Sequence, residues 1–121
     1  MLVRGLARSS VLRLARELNP PIYHLTGRLP EAERFGLVSQ LRRAAVSVSA
    51  NIAEGLGRGS PGDFARFLRI SSGSAAEVEA LLSVAVDLGF LEKTEVASVQ
   101  RQAHDLRWHL KKLIDQVAPS R

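Results

Sequence analysis

Residues 96–117, VASVQRQAHDLRWHLKKLIDQV, decide the fold. Within them Val96, Val99, Ala103, Leu106, Leu110, Leu113 and Val117 recur at intervals of three and four. That rhythm is the seam of a helix laid nearly parallel to its partners. The helix should start near Glu92 and stop before Pro119, with Lys111 and Lys112 at the end where the helix dipole favours cations. An apolar stripe of this length needs other helices to cover it.

The preceding segment offers one. Ser60 suits an N-cap, Pro61 the first helical position and Asp63 the first turn, while Gly89 stands where a C-terminal glycine cap belongs. Between them Phe64, Phe67, Ser71, Ser74, Val78, Leu81, Ala85 and Leu88 keep the same rhythm. Small residues fill its middle, Ser71 to Ala76, and let another backbone approach. A further helix is predicted over 31–56, with Pro30 at its entry and Leu37, Leu41, Ala45, Val48 and Ile52 as its stripe. The glycine-rich run 55–59 ends it. The first helix carries Val11, Leu12, Leu14, Ala15, Leu18, Ile22, Tyr23 and Leu25, interrupted by Asn19-Pro20-Pro21. Two successive prolines remove two backbone donors, so a kink or break is expected there, with Asn19 capping the new start. The expectation is an all-α, antiparallel up-down-up-down four-helix bundle, one domain over 1–121.

Composition narrows the function. The chain has 121 residues, 45% hydrophobic and 24% charged, the balance of one globular domain. It has no cysteine, which excludes disulfides, zinc–thiolate and iron–sulfur sites and cysteine nucleophiles. No apolar run approaches the roughly 20 residues of a membrane span. The first sixteen residues hold four Arg and no acid. That is the composition of a mitochondrial targeting segment, but we read it as the basic first turns of a bundle helix. Seventeen Lys and Arg against twelve acids give a net charge of +5, and all but three of the basic residues are Arg. A basic domain is compatible with a polyanionic partner. A GC-rich genome would enrich Arg as well.

The chemical constellations are modest. His104 and His109 lie on different helix faces, and no carboxylate pair has acid–base spacing. No metal, cofactor or catalytic residue is expected, and the chain is read as non-enzymatic. The run 55–62 lacks the Gly-Lys-Ser/Thr ending of a phosphate loop and follows a helix, so it is a connecting turn. Ser47, Asn51 and Glu54 share one stripe, which with Ser71 and Ser74 predicts a polar cluster between two helices. Arg42 and Arg43 on one helix, with Arg58, Arg66 and Arg69 at the start of the next, form the candidate phosphate-binding surface. Only six aromatics occur, four of them Phe expected in the core and only Tyr23 and Trp108 amphipathic, so base stacking has weak support.

Several of these residues form a longer pattern. Glu33-Arg34-Phe35-Gly36-Leu37, Ser39-Gln40-Leu41-Arg42-Arg43-Ala44, Asn51-Ile52-Ala53-Glu54-Gly55 and Gly57-Arg58-Gly59-Ser60 resemble the 23S rRNA intervening-sequence proteins. Phe64, Arg66-Phe67-Leu68, Ser74, Glu77 and Asp87-Leu88-Gly89 extend the resemblance over roughly residues 15–115. It implies a bacterial, cytoplasmic four-helix bundle assembled as a homopentamer, without enzymatic activity. That family is similar to the accessory variability protein of diversity-generating retroelements, which works beside a reverse transcriptase and is thought to bind nucleic acid. The implied partners are therefore further copies of the chain, RNA or DNA, and a protein such as a reverse transcriptase. The other reading is a protein-interaction adaptor with no direct nucleic-acid binding. Ser49 stands where the family usually has Pro, so a straighter second helix is expected; Leu12, Pro20 and Pro21 depart from the pattern in the first helix.

Overall fold

The computed structural model describes residues 2–118, with the side chains of 2–7 and 9 left aside. Its helices are α1 (Leu2–Arg16), α2 (Asn19–Thr26), α3 (Leu37–Leu56), α4 (Pro61–Asp87) and α5 (Lys93–Val117), with a 3-10 turn at Glu31–Glu33. No strand occurs among the described residues. Taken together, α1 and α2 are the first of four bundle helices; short connections make successive neighbours antiparallel.

The interruption lies just ahead of the prolines. Pro20 and Pro21 cannot donate to the carbonyls four residues back, those of Arg16 and Glu17. The regular ladder of α1 stops at Arg16, and Ile22 N–H resumes it by donating to Leu18 O at 3.3 Å. Leu18 stays right-handed helical at φ −73°, ψ −28°, so the result is a slight bend and not a separate element. Asn19 does not cap: it is the first residue of α2, and its Oδ1 is buried without a partner. Pro21 has no amide to offer such a cap, and the Ile22 N–H is already given to Leu18 O.

α3 begins at Leu37, later than the predicted Glu31. Residues 31–33 make a single 3-10 turn, and Glu33 Oε1 then accepts the Leu37 N–H at 3.2 Å. A Cβ on Gly36 would stand 2.9 Å from that carboxylate oxygen. At the start of α4, Ser60 Oγ accepts the Asp63 N–H at 3.1 Å, as a capping serine should. Gly89, at φ +79°, turns the chain out of α4. Glu92 and Glu95 close a reciprocal capping box on α5.

The core is the sum of the stripes. Val96, Val99, Ala103, Leu106, Leu110 and Leu113 of α5 are buried, with Val117 half-buried; the whole predicted stripe of α3 is buried. On α4 the buried set is Phe64, Leu68, Ser71, Ala75, Val78, Leu82 and Ala85, with Ala65 and Phe67 alongside. Of the predicted stripe, Phe64, Phe67, Ser71, Val78 and Ala85 are buried, whereas Ser74 and Leu81 sit at the margin and Leu88 is exposed. α4 packs against both α3 and α5, which turns its seam toward the Leu68–Ala75–Leu82 flank.

Candidate nucleic-acid interface

Four of the five residues of the predicted polar cluster meet between α3 and α4. The Ser47 and Ser74 hydroxyls lie 2.9 Å apart, and Asn51 Nδ2 donates to Ser47 Oγ and Ser47 O, both at 2.8 Å. The fully buried Ser71 donates its hydroxyl to Val48 O at 2.8 Å. Each of these four side chains thus has a partner within the fold, which fits a seam that sets helix register. Glu54 is not part of it. Within the last turn of α3 it faces solvent and pairs with Arg58 at 3.3 Å. Arg42 and Arg43 do not serve the seam either.

The five candidate arginines divide into two places. Arg42 is committed to the fold: its Nε donates to Thr26 Oγ1 at 2.8 Å, and its guanidinium lies 4.4 Å from the centre of the Tyr23 ring. Arg43 opens on a groove of about 480 Å³ between α3 and α4, shared with Ser39, Gln40, Ser47, Ser74 and Glu77. Arg58, Arg66 and Arg69 sit at the opposite end. Thirteen residues separate Arg43 from Leu56 at the end of α3, about 20 Å of helix. The two groups therefore do not share one end of the bundle.

At the far end the cations are held by aromatic rings. The guanidiniums of Arg58 and Arg66 lie 5.0 and 4.5 Å from the centre of the Phe67 ring. Arg8, which sequence reasoning passed over, lies 4.7 Å from the Phe64 ring. Gly55 makes this possible, because a Cβ there would come within 2.9 Å of Phe67 Cβ. A guanidinium stacked on a ring keeps its N–H groups free at the edge, the geometry that serves phosphate oxygens. Glu54 and Asp63 offset part of the charge, Asp63 at 3.8 Å from Arg66.

From this end the basic surface continues along α4 and α5. Arg69 shares a groove with Lys111, and the adjoining groove is lined by His104, Arg107 and Trp108. Arg107 is held by Glu79 at 2.8 Å. The aromatics are more accessible than predicted: Phe35 is 87% exposed and Trp108 57%, whereas Phe64 and Phe67 are buried as expected. Phe35 follows the 3-10 turn and leaves the core because Gly36 lets the chain reverse directly into α3. The sequence signal was its position between Arg34 and Gly36, before the first apolar repeat of α3.

Among the described residues no group of three acids or histidines is placed to hold a metal ion, and no helix is long and apolar enough to cross a membrane. The sequence matches the family of 23S rRNA-intervening sequence proteins over residues 7–112. The fold is similar to the crystal structure of a protein of unknown function from the S23 ribosomal protein family of Bacteroides thetaiotaomicron VPI-5482. The TM-score is 0.83 at 23% identity, over 90% of this chain and 98% of that one. No curated protein matches the chain.

Proposed function

The chain belongs to the 23S rRNA-intervening sequence protein family, and on that premise we propose a non-enzymatic, cytoplasmic bundle that assembles into a homo-oligomer, a pentamer, and binds RNA or DNA through its arginine surface. The observation that carries the reading is the set of three guanidiniums laid on Phe64 and Phe67 at one end. Stacking fixes their direction before any ligand arrives, so less side-chain entropy is lost on binding. Arg69 extends the surface along α4. The net charge of +5 has the sign a phosphate backbone requires.

Assembly is supported by a second feature. Ile70, Gly73, Ala80, Val84 and Leu88 leave an exposed apolar and small-residue stripe on α4, and Val46, Ala50, Ala53 and Leu56 do so on α3. Burying such stripes against further copies adds apolar area that a bundle of this size lacks by itself.

The test is a triple charge reversal, Arg58→Glu, Arg66→Glu and Arg69→Glu, read by fluorescence anisotropy with a labelled structured RNA at two salt concentrations. Binding by the wild type should weaken steeply with salt, because phosphate neutralisation releases counterions. The variant should lose most affinity while keeping its helical circular dichroism. Unchanged affinity in a folded variant overturns the surface assignment. Light scattering that finds only a 13.2 kDa species overturns the assembly.

A further inference from the structure

We propose that Trp108 is a base-stacking platform and that the α4–α5 face beside it takes single-stranded nucleic acid; the inference rests on the nucleic-acid reading above and specifies its ligand. Trp108 is the one tryptophan of the chain and is 57% exposed near the middle of α5. An indole face left open to water on a regular helix adds nothing to the core. Lys112 Nζ lies 5.0 Å from the centre of its ring, and the His109 ring meets it edge-on at 5.1 Å. These neighbours set the ring's orientation and bring a cation to the same spot.

The surroundings fit a polyanion with bases. Two adjoining grooves, of about 300 and 230 Å³, share Ser72 and Lys111. One adds Arg69 and the other His104, Arg107 and Trp108. Together they form a track along two turns of α5, from Lys111 back to His104, about 10 Å. Glu79 neutralises Arg107 at 2.8 Å, and Asp115 approaches Lys111 at 3.5 Å. Arg69 and Lys112 have no carboxylate within ion-pair distance among the described residues, so the track keeps net positive charge.

Cations spaced around one exposed ring are the arrangement by which single strands are held without sequence readout. A duplex offers no match, because its bases already stack on one another and only an unpaired base can cover the indole. A membrane surface is disfavoured by Asp115 in one groove, by Glu79 paired with Arg107, and by the lack of other exposed large apolar side chains on α5.

The experiment uses the wild-type full-length protein and unstructured oligouridylate and oligothymidylate of about 15 residues, with a duplex of equal length as control. Trp108 emission reports on this site alone, and anisotropy of a labelled strand reports on binding anywhere. The expected result is quenching on titration with either single strand and none with the duplex. Trp108→Ala should weaken single-strand binding roughly 5- to 150-fold, with Trp108→Phe retaining most of it. If Arg69, Lys111 and Lys112 each meet one phosphate, log affinity should fall against log salt with a slope of about −2 from these three. Anisotropy that shows binding while Trp108 emission stays constant and Trp108→Ala binds as wild type overturns the inference and leaves the proposed function standing. No binding of any strand at low salt overturns both.

Discussion

Two glycine-to-alanine substitutions on neighbouring helices should have opposite signs. At Gly73, in the middle of α4, a Cβ would meet nothing within 4 Å. Alanine exceeds glycine by about 0.8–1.0 kcal/mol in a helix interior, so Gly73→Ala should stabilise the fold by nearly that amount. For a domain of this size that raises the melting temperature by about 4 °C. At Gly55 the added Cβ would lie 2.9 Å from Phe67 Cβ and 3.0 Å from Phe64 Cδ1. Phe67 Cβ is tied to the α4 backbone and cannot swing aside, so α3 and α4 must part locally. Overpacking of this kind costs about 1–3 kcal/mol. Less the helix-propensity gain, Gly55→Ala should be destabilised by up to about 2 kcal/mol. Urea unfolding followed by circular dichroism, at one protomer concentration for all variants, measures both midpoints. Equal midpoints for the two variants would refute the close approach of α3 and α4 at Gly55.

Two further perturbations separate structural from functional charges. The Glu92 backbone N–H, donating to Glu95 at 2.8 Å, and then the Arg28 guanidinium hold the Glu95 carboxyl below its ordinary value. A carboxyl lowered in the fold stabilises above its unfolded value, about pH 4.3, and that stabilisation is lost as pH falls through the folded value. Glu95→Gln should therefore lower the urea midpoint at pH 7, with the gap to wild type narrowing as the solution is acidified; a gap of constant size would refute the assignment. Arg42→Ala removes the bond to Thr26 and the stack on Tyr23 and should cost about 1–2 kcal/mol by chemical denaturation, with nucleic-acid affinity unchanged. Loss of affinity without loss of stability would return Arg42 to the interface.

The sequence was most legible where one helix face alone had to be apolar. In α5 and α3 nearly every stripe residue is buried, because the large apolar residues at three-four spacing outline one continuous phase. α4 was harder. Phe67-Leu68 and Leu81-Leu82 are adjacent apolar pairs, so periodicity alone could not choose the flank that faces α3 and α5 together. The seam of Ser47, Asn51, Ser71 and Ser74 was readable from spacing; Glu54 fitted that spacing but stands too near the helix end to be enclosed. The arginines misled for a different reason. Adjacency of Arg42 and Arg43 in the chain says nothing of Thr26 and Tyr23, which a separate helix brings to Arg42 alone. Arg8 lies near the start of the chain and joins Arg58 and Arg66 only once α1 packs beside α3.

The hydroxyl seam also decides where the bundle yields. Serine has one short rotor, so at Ser47, Ser71 and Ser74 a displacement of α3 has almost no side-chain freedom to disappear into before it reaches α4. Those two helices are tied to one another at three hydroxyls. The less continuous part is the first helix, where the prolines have deleted two rungs of the amide ladder between α1 and α2. The α3–α4 pair is therefore the stiffer frame, and it carries both the proposed assembly stripes and one wall of the grooves beside Trp108.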